Sequence, residues 1–88
     1  MKLSEQEIQE KLKELSGWAV KGEQIEKEFS FEGFPEAIKF VERVAAIAEE
    51  EDHHPDIHIF YNKVKIVLST HDVGGVSQKD IVLAARID

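Results

Sequence analysis

Apolar residues recur along this chain with two alternating periods, and the switches between them mark out helices and strands. Near the start, Ile8, Leu12 and Leu15 fall at helical spacing, while Glu5, Gln6, Gln9, Glu10 and Lys13 face away. Ser4 and Glu7 form an S-x-x-E capping box, Leu3 and Ile8 are placed as a hydrophobic staple, and Gly17 marks a stop. The pattern predicts a helix from about Ser4 to Leu15. Two strands fit the next stretch, Trp18 to Lys21 and Gln24 to Phe31, joined at Gly22-Glu23, with Ile25, Lys27, Phe29 and Phe31 on one face. Gly33 and Pro35 break that alternation and open a second helix reaching to about Asp52, with Phe34, Ala37, Ile38, Val41, Val44, Ala45 and Ala48 along its stripe. Ile57, Ile59 and Tyr61 then alternate with His58 and Phe60, Asn62-Lys63 supplies a turn, and Val64, Ile66 and Leu68 alternate with Lys65, Val67 and Ser69. After Gly74-Gly75, Ser77 and Asp80 form another capping box and Val76 with Ile81 another staple, so a last helix runs from about Ser77 to Arg86.

The order is therefore αββαββα. Two hairpins point to an α+β fold, a four-stranded antiparallel sheet with helices packed on one face, and residues 1–88 are expected to form a single domain. At 88 residues the core is modest, near the size at which self-association commonly adds stability. No apolar run approaches the roughly 20 residues of a membrane span. There is no cysteine, and no signal-peptide pattern at Met1-Lys2-Leu3-Ser4-Glu5, so a cytoplasmic location is expected. The net charge of −7 disfavours nucleic acid as a direct partner, because a phosphate backbone calls for clustered Lys and Arg.

The chemistry concentrates in three histidines, two adjacent in Glu51-Asp52-His53-His54-Pro55-Asp56 and one in Ser69-Thr70-His71-Asp72. Histidine, with an unperturbed pKa of about 6.5, both gives and takes protons near neutrality. Helical spacing places Glu49 on the face of His53, where its carboxylate can accept an imidazole N–H. Pro55 pushes His54 out of the helical region, so the neighbouring rings diverge. A hairpin returns the chain to where it started, so His71 is expected at the same end as His54. The acidic run Glu49-Glu50-Glu51-Asp52 opposes the dipole at that helix end, which two imidazoles downstream would relieve.

Written by position, the second half reads Glu49, three residues, His53-His54-Pro55, five residues, Tyr61, nine residues, His71, eight residues, Asp80. This resembles the signature of the pterin-4a-carbinolamine dehydratases, and the stretches Tyr61-Asn62-Lys63-Val64 and Leu68-Ser69-Thr70-His71 are similar to that family too. The resemblance implies loss of water from a 4a-hydroxytetrahydropterin to give a quinonoid dihydropterin in tetrahydrobiopterin recycling, with no organic cofactor and no metal. It implies His53, His54 and His71 as catalytic residues, His53 and His71 being the acid–base candidates and His54 chiefly positioning substrate. By the same resemblance, Trp18, Glu49, Pro55, Thr70, Asp72 and Val73 join the histidines in binding the pterin, and Asp80 supports the loop. It further implies a homodimer or homotetramer.

Plainer readings stand beside these. Asp80 is accounted for as a capping residue, Trp18 serves equally as a buried anchor, and Tyr61 reads as core. His58 falls on the opposite sheet face, outside the site, and Glu50 and Glu51 read as solvated. Three imidazoles with Asp72 or Glu49 match a four-coordinate zinc in number, but neither H-x₃-H nor H-E-x-x-H is present. The alternative to an enzyme is a pterin-binding or transcription-factor-dimerisation protein on the same fold.

Overall fold

The computed structural model describes residues 1–88 and contains three α-helices, four strands and one short 3₁₀ turn. Helix α1 spans Glu5–Leu12, β1 Ala19–Lys21, β2 Gln24–Ser30, α2 Phe34–Glu51, β3 Asp56–Phe60, β4 Lys63–Leu68, the 3₁₀ turn His71–Val73, and α3 Gln78–Ile87. The α+β order expected from the sequence is present. Both capping boxes form: at α1 the Ser4 hydroxyl accepts from the Glu7 amide at 3.1 Å, and the Glu7 carboxylate accepts from the Ser4 amide at 2.8 Å. Helix α1 ends three residues earlier than its periodicity predicts. The amides of Lys13, Glu14 and Leu15 donate to Glu10, Lys11 and Leu12, tightening the last turn, and Gly17 then takes a left-handed φ of +85°.

The two hairpins join into one antiparallel sheet ordered β1-β2-β4-β3. Ile25 sits opposite Leu68, Lys27 opposite Ile66 and Phe29 opposite Val64, while Ile57 and Ile59 face Ile66 and Val64 from the other side. These residues share the helix-covered face, and Ile25, Val64, Ile66 and Leu68 are fully buried there. Glu28, Lys65 and His58 form a row across the outer face, so His58 is remote from the core as expected.

Helix α2 is rotated relative to the predicted stripe. Ala37, Val44 and Ala48 are buried, but Phe40 and Ile47 complete the inner face, whereas Phe34 is 47% exposed and Ala45 is exposed. The aromatic contacts account for this rotation: the Phe40 ring packs 4.6 Å from Phe29 and 5.0 Å from Phe31, measured between centroids. The β3–β4 turn is also displaced by one residue, because Phe60 pairs with Lys63 and leaves Tyr61-Asn62 as the link. Tyr61 adopts φ +53° and is 68% exposed, which corrects its reading as core. Asn62 fixes the turn by donating its side-chain amide to the Phe31 carbonyl and accepting from the Phe31 amide.

Helix α3 lies beside α2. Its Arg86 reaches Glu50 at 2.6 Å and Glu51 at 2.7 Å, so these two carboxylates are bridged instead of merely solvated. The acidic end of α2 is thus met from two sides, by Arg86 at Glu50 and Glu51 and by the downstream imidazole of His54 at Glu49. The hydrogen bonds to Glu50 and then Glu51 raise the guanidinium pKa further. No helix is long and apolar enough to cross a membrane.

Candidate active site

The site is built where α2 ends, β4 ends and α3 begins. Asp52 closes α2 in the left-handed region (φ 52°, ψ 42°), and the His53 amide turns back to the Ala48 carbonyl at 3.1 Å. That reversal takes residue 53 off the helical spiral. His53 therefore does not meet Glu49, as spacing predicted; its Nε2 lies 2.5 Å from Oδ1 of Asp80 on α3, and Glu49 instead pairs with His54 Nε2 at 2.5 Å. The two rings diverge as Pro55 led us to expect, and their surroundings differ sharply: the His53 side chain is 12% exposed and that of His54 58%.

Asp80 is wholly buried yet fully engaged. Besides His53, it accepts from the Thr70 hydroxyl at 2.8 Å and the Ser77 amide at 2.9 Å, both on Oδ2. A carboxylate only accepts, so Thr70 must donate to it, and the Ser77 hydroxyl must in turn donate to Thr70 across 2.7 Å. The same logic places a proton on His53 Nε2. In the neutral ring Nδ1 is then the lone-pair nitrogen, and it has no partner within the chain. Asp80 is thus both the helix cap and the residue that orients an imidazole.

His71 stands on the 3₁₀ turn after β4. Thr70 and Gly75 pair across the base of this loop, with the Thr70 amide 2.7 Å from the Gly75 carbonyl. Gly74 closes it at φ +69°, and its amide donates to the His71 carbonyl. The His71 ring is exposed and makes no hydrogen bond inside the chain.

His53, His54 and His71 line one open recess of about 350 Å³, together with Asp52, Ser69, Thr70, Asp72 and Lys79. The volume lies near the lower end of the range for small-molecule sites, about 300–1,000 Å³. A larger recess of about 440 Å³ lies elsewhere, between the N-terminal segment and the β1–β2 turn, and has no histidine. Of the residues expected to bind substrate, Thr70 and Asp72 share the histidine recess, while Trp18, Glu49, Pro55 and Val73 do not line it. Trp18 is 8% exposed in the core, edge-on to Phe29, and Val73 lines the adjoining recess. Asp52, Ser69 and Lys79 were not singled out from the sequence. Position 79 had a signal, since it falls inside the Ser77–Asp80 capping box and must sit on the first turn of α3. No three His, Cys, Asp or Glu side chains converge as a metal site would require.

Comparison with known proteins gives this geometry a family. The model of the pterin 4 alpha carbinolamine dehydratase family matches residues 1–88. The chain belongs to that family. It is 49% identical over 87 residues to a Sulfurisphaera tokodaii protein assigned by name to the pterin-4-alpha-carbinolamine dehydratases, covering 99% of this chain and 94% of the relative. A Roseiflexus relative assigned to the same dehydratases is 51% identical with the same coverage. A crystal structure described as a transcriptional coactivator/pterin dehydratase from Brucella melitensis superposes with a TM-score of 0.93 at 39% identity, covering 99% of this chain and 95% of that one. A pterin dehydratase-like protein described as a RuBisCO assembly factor in the alpha-carboxysome superposes with a TM-score of 0.70 at 25% identity, covering 83% of this chain and 87% of that one. The dehydratase fold therefore carries more than one role among its members, while the family as named is one of hydro-lyases.

Proposed function

We propose that this protein dehydrates a 4a-hydroxytetrahydropterin, acting in the cytoplasm as a homo-oligomer that returns tetrahydropterin to use. The observation that carries the reading is that three imidazoles line one recess, with His53 held in a single orientation by a buried carboxylate. The reaction breaks the C4a–O bond, sends the hydroxyl off as water, and removes one ring N–H proton to give the quinonoid dihydropterin. His53 is the base, because its Nε2–H is committed to Asp80 and Nδ1 keeps the lone pair. His71, free of any intrachain partner, supplies the proton to the departing hydroxyl. His54, braced by Glu49, positions the ring. General acid–base assistance of this kind typically contributes about 10²–10⁴-fold.

Stopped-flow absorbance on carbinolamine generated in situ tests this directly. The parent protein should accelerate dehydration in the presence of chelator, and His53→Ala should lose that acceleration by about 10²-fold or more. A His53→Ala protein that retains activity would reject the assigned base. A folded parent with no effect on the reaction would leave the chain as a pterin-binding or partner-binding member of its family.

A further inference from the structure

Gly74 and Gly75 close the loop that carries His71, but for different reasons. Gly74 takes a left-handed φ, whereas the φ of Gly75 is not positive, so conformation alone does not call for glycine at residue 75. What bars a side chain there is space. A β-carbon on residue 75 would stand 2.8 Å from Cε of Lys2 and 2.9 Å from Oε2 of Glu23, and these two side chains meet each other at 2.6 Å. The Lys2–Glu23 ion pair therefore closes directly over Gly75. It is not the only tie at this point: the Leu3 amide donates to the Val76 carbonyl at 2.8 Å, and Thr70 and Gly75 exchange backbone hydrogen bonds across the base of the loop. Three stretches distant in sequence thus meet at residue 75, namely the segment before α1, the β1–β2 turn and the exit of the His71 loop.

The exposed His71 ring makes no hydrogen bond inside the chain, so the loop backbone alone sets where it stands. Glu23 borders the same place, since with His71 it lines a depression of about 240 Å³. Exposed ion pairs add little to global stability, and the Lys2 and Glu23 side chains are 50% and 66% exposed. The value of this pair is local. We propose that the Lys2–Glu23 pair, closed over Gly75, is a brace that holds the His71 loop in place for proton donation, which makes Lys2, Glu23 and Gly75 positioning residues. The inference rests on the dehydratase reading, in which His71 supplies the proton to the departing hydroxyl. Displacing a reacting group by about 1 Å can cost about 10²-fold in rate, so a small loosening of this loop is enough to register.

The test compares the parent with Lys2→Met, Glu23→Gln, Gly75→Ala and the charge swap Lys2→Glu/Glu23→Lys. Gly75→Ala pushes the ends of two flexible side chains apart, while the other changes lie on the surface. Backbone ¹⁵N relaxation reads the loop: order parameters of residues 71–74 should fall by about 0.1 or more from the rigid value of about 0.85 in the first three variants, while β4 stays rigid. In the same variants kcat should fall at least threefold with KM within twofold of the parent, and the charge swap should restore both the order parameters and kcat. Unchanged order parameters in Lys2→Met, Glu23→Gln and Gly75→Ala would overturn the brace, whatever the activity. A loosened loop with parental kcat would overturn the positioning of His71. Opposite shifts of kcat in Lys2→Met and Glu23→Gln would overturn it as well, because they would mean that the Glu23 carboxylate acts through its charge and not through the pair. If the parent does not accelerate dehydration, the dehydratase reading fails, and the brace is then sustained or rejected by the order parameters and their recovery in the charge swap.

Discussion

Asp80 shows how one side chain can serve stability and chemistry together. Exchanging it for Asn preserves shape but presents N–H groups to neighbours that are themselves donors, either His53 Nε2 or the Thr70 and Ser77 pair. With a buried group left unsatisfied, Asp80→Asn should lower stability by about 1–3 kcal/mol in urea titrations. It should also reduce kcat more than it raises KM, because a His53 free to adopt the other tautomer no longer keeps its lone pair on Nδ1. An unchanged kcat in the folded variant would confine Asp80 to capping. The spacing of His53, His54, His71 and Asp80 was legible in the sequence, but the partners were not. Helical periodicity paired Glu49 with His53, and that logic failed because Asp52 takes the left-handed conformation one residue before the ring it was meant to orient. Tyr61 was misread for a related reason: strand alternation was carried one residue past the point where its positive φ turns the side chain outward.

At the level of elements, two ties hold the periphery to the sheet. Lys27 extends from β2 along the Phe29 ring to reach the Ser16 carbonyl and, at 2.6 Å, the Asp88 carboxylate, which also accepts from the Ser16 amide. Burial pushes the Asp88 carboxyl up, but the hydrogen bonds from Lys27 and Ser16 and the Lys27 charge outweigh it, leaving the pKa below its ordinary value. Glu7 shifts the same way, chiefly through the Ser4 amide. A carboxyl depressed in the folded state stabilises the fold above the ordinary carboxylate range, and that contribution is lost as pH falls through the folded value. The urea midpoint should therefore decline below about pH 4, and Asp88→Asn should make that decline shallower. An unaltered acid limb would remove Asp88 from the account. The Arg86 bridge is exposed, so Arg86→Met should lower the urea midpoint only slightly, and by less still in high salt. Helices α1 and α3 were readable because both capping boxes are explicit in the sequence. The rotation of α2 was not, since apolar residues cover so wide an arc that only the Phe40 contacts with Phe29 and Phe31 select the inner face.

For the whole molecule, the hairpins were foreseeable but their order was not, because nothing local says which strand of one hairpin meets the other. Pairing β2 with β4 leaves β3 at an edge, with Ile59 41% and Phe60 54% exposed. Such an edge favours antiparallel pairing across a two-fold axis. Light scattering at micromolar concentration should accordingly give a dimer or tetramer, and monomer alone would refute that assembly. The hydrogen bond from His53 to Asp80 has a further consequence in time. It joins a residue that follows α2 to one carried by α3, so the reacting geometry exists only once the last helix has docked. The strands, by contrast, hydrogen-bond to one another and are all complete by Leu68. Activity should thus vanish in any locally opened state that releases α3, and catalytic turnover becomes a reporter of that helix's docking, more sensitive than any probe of the strands.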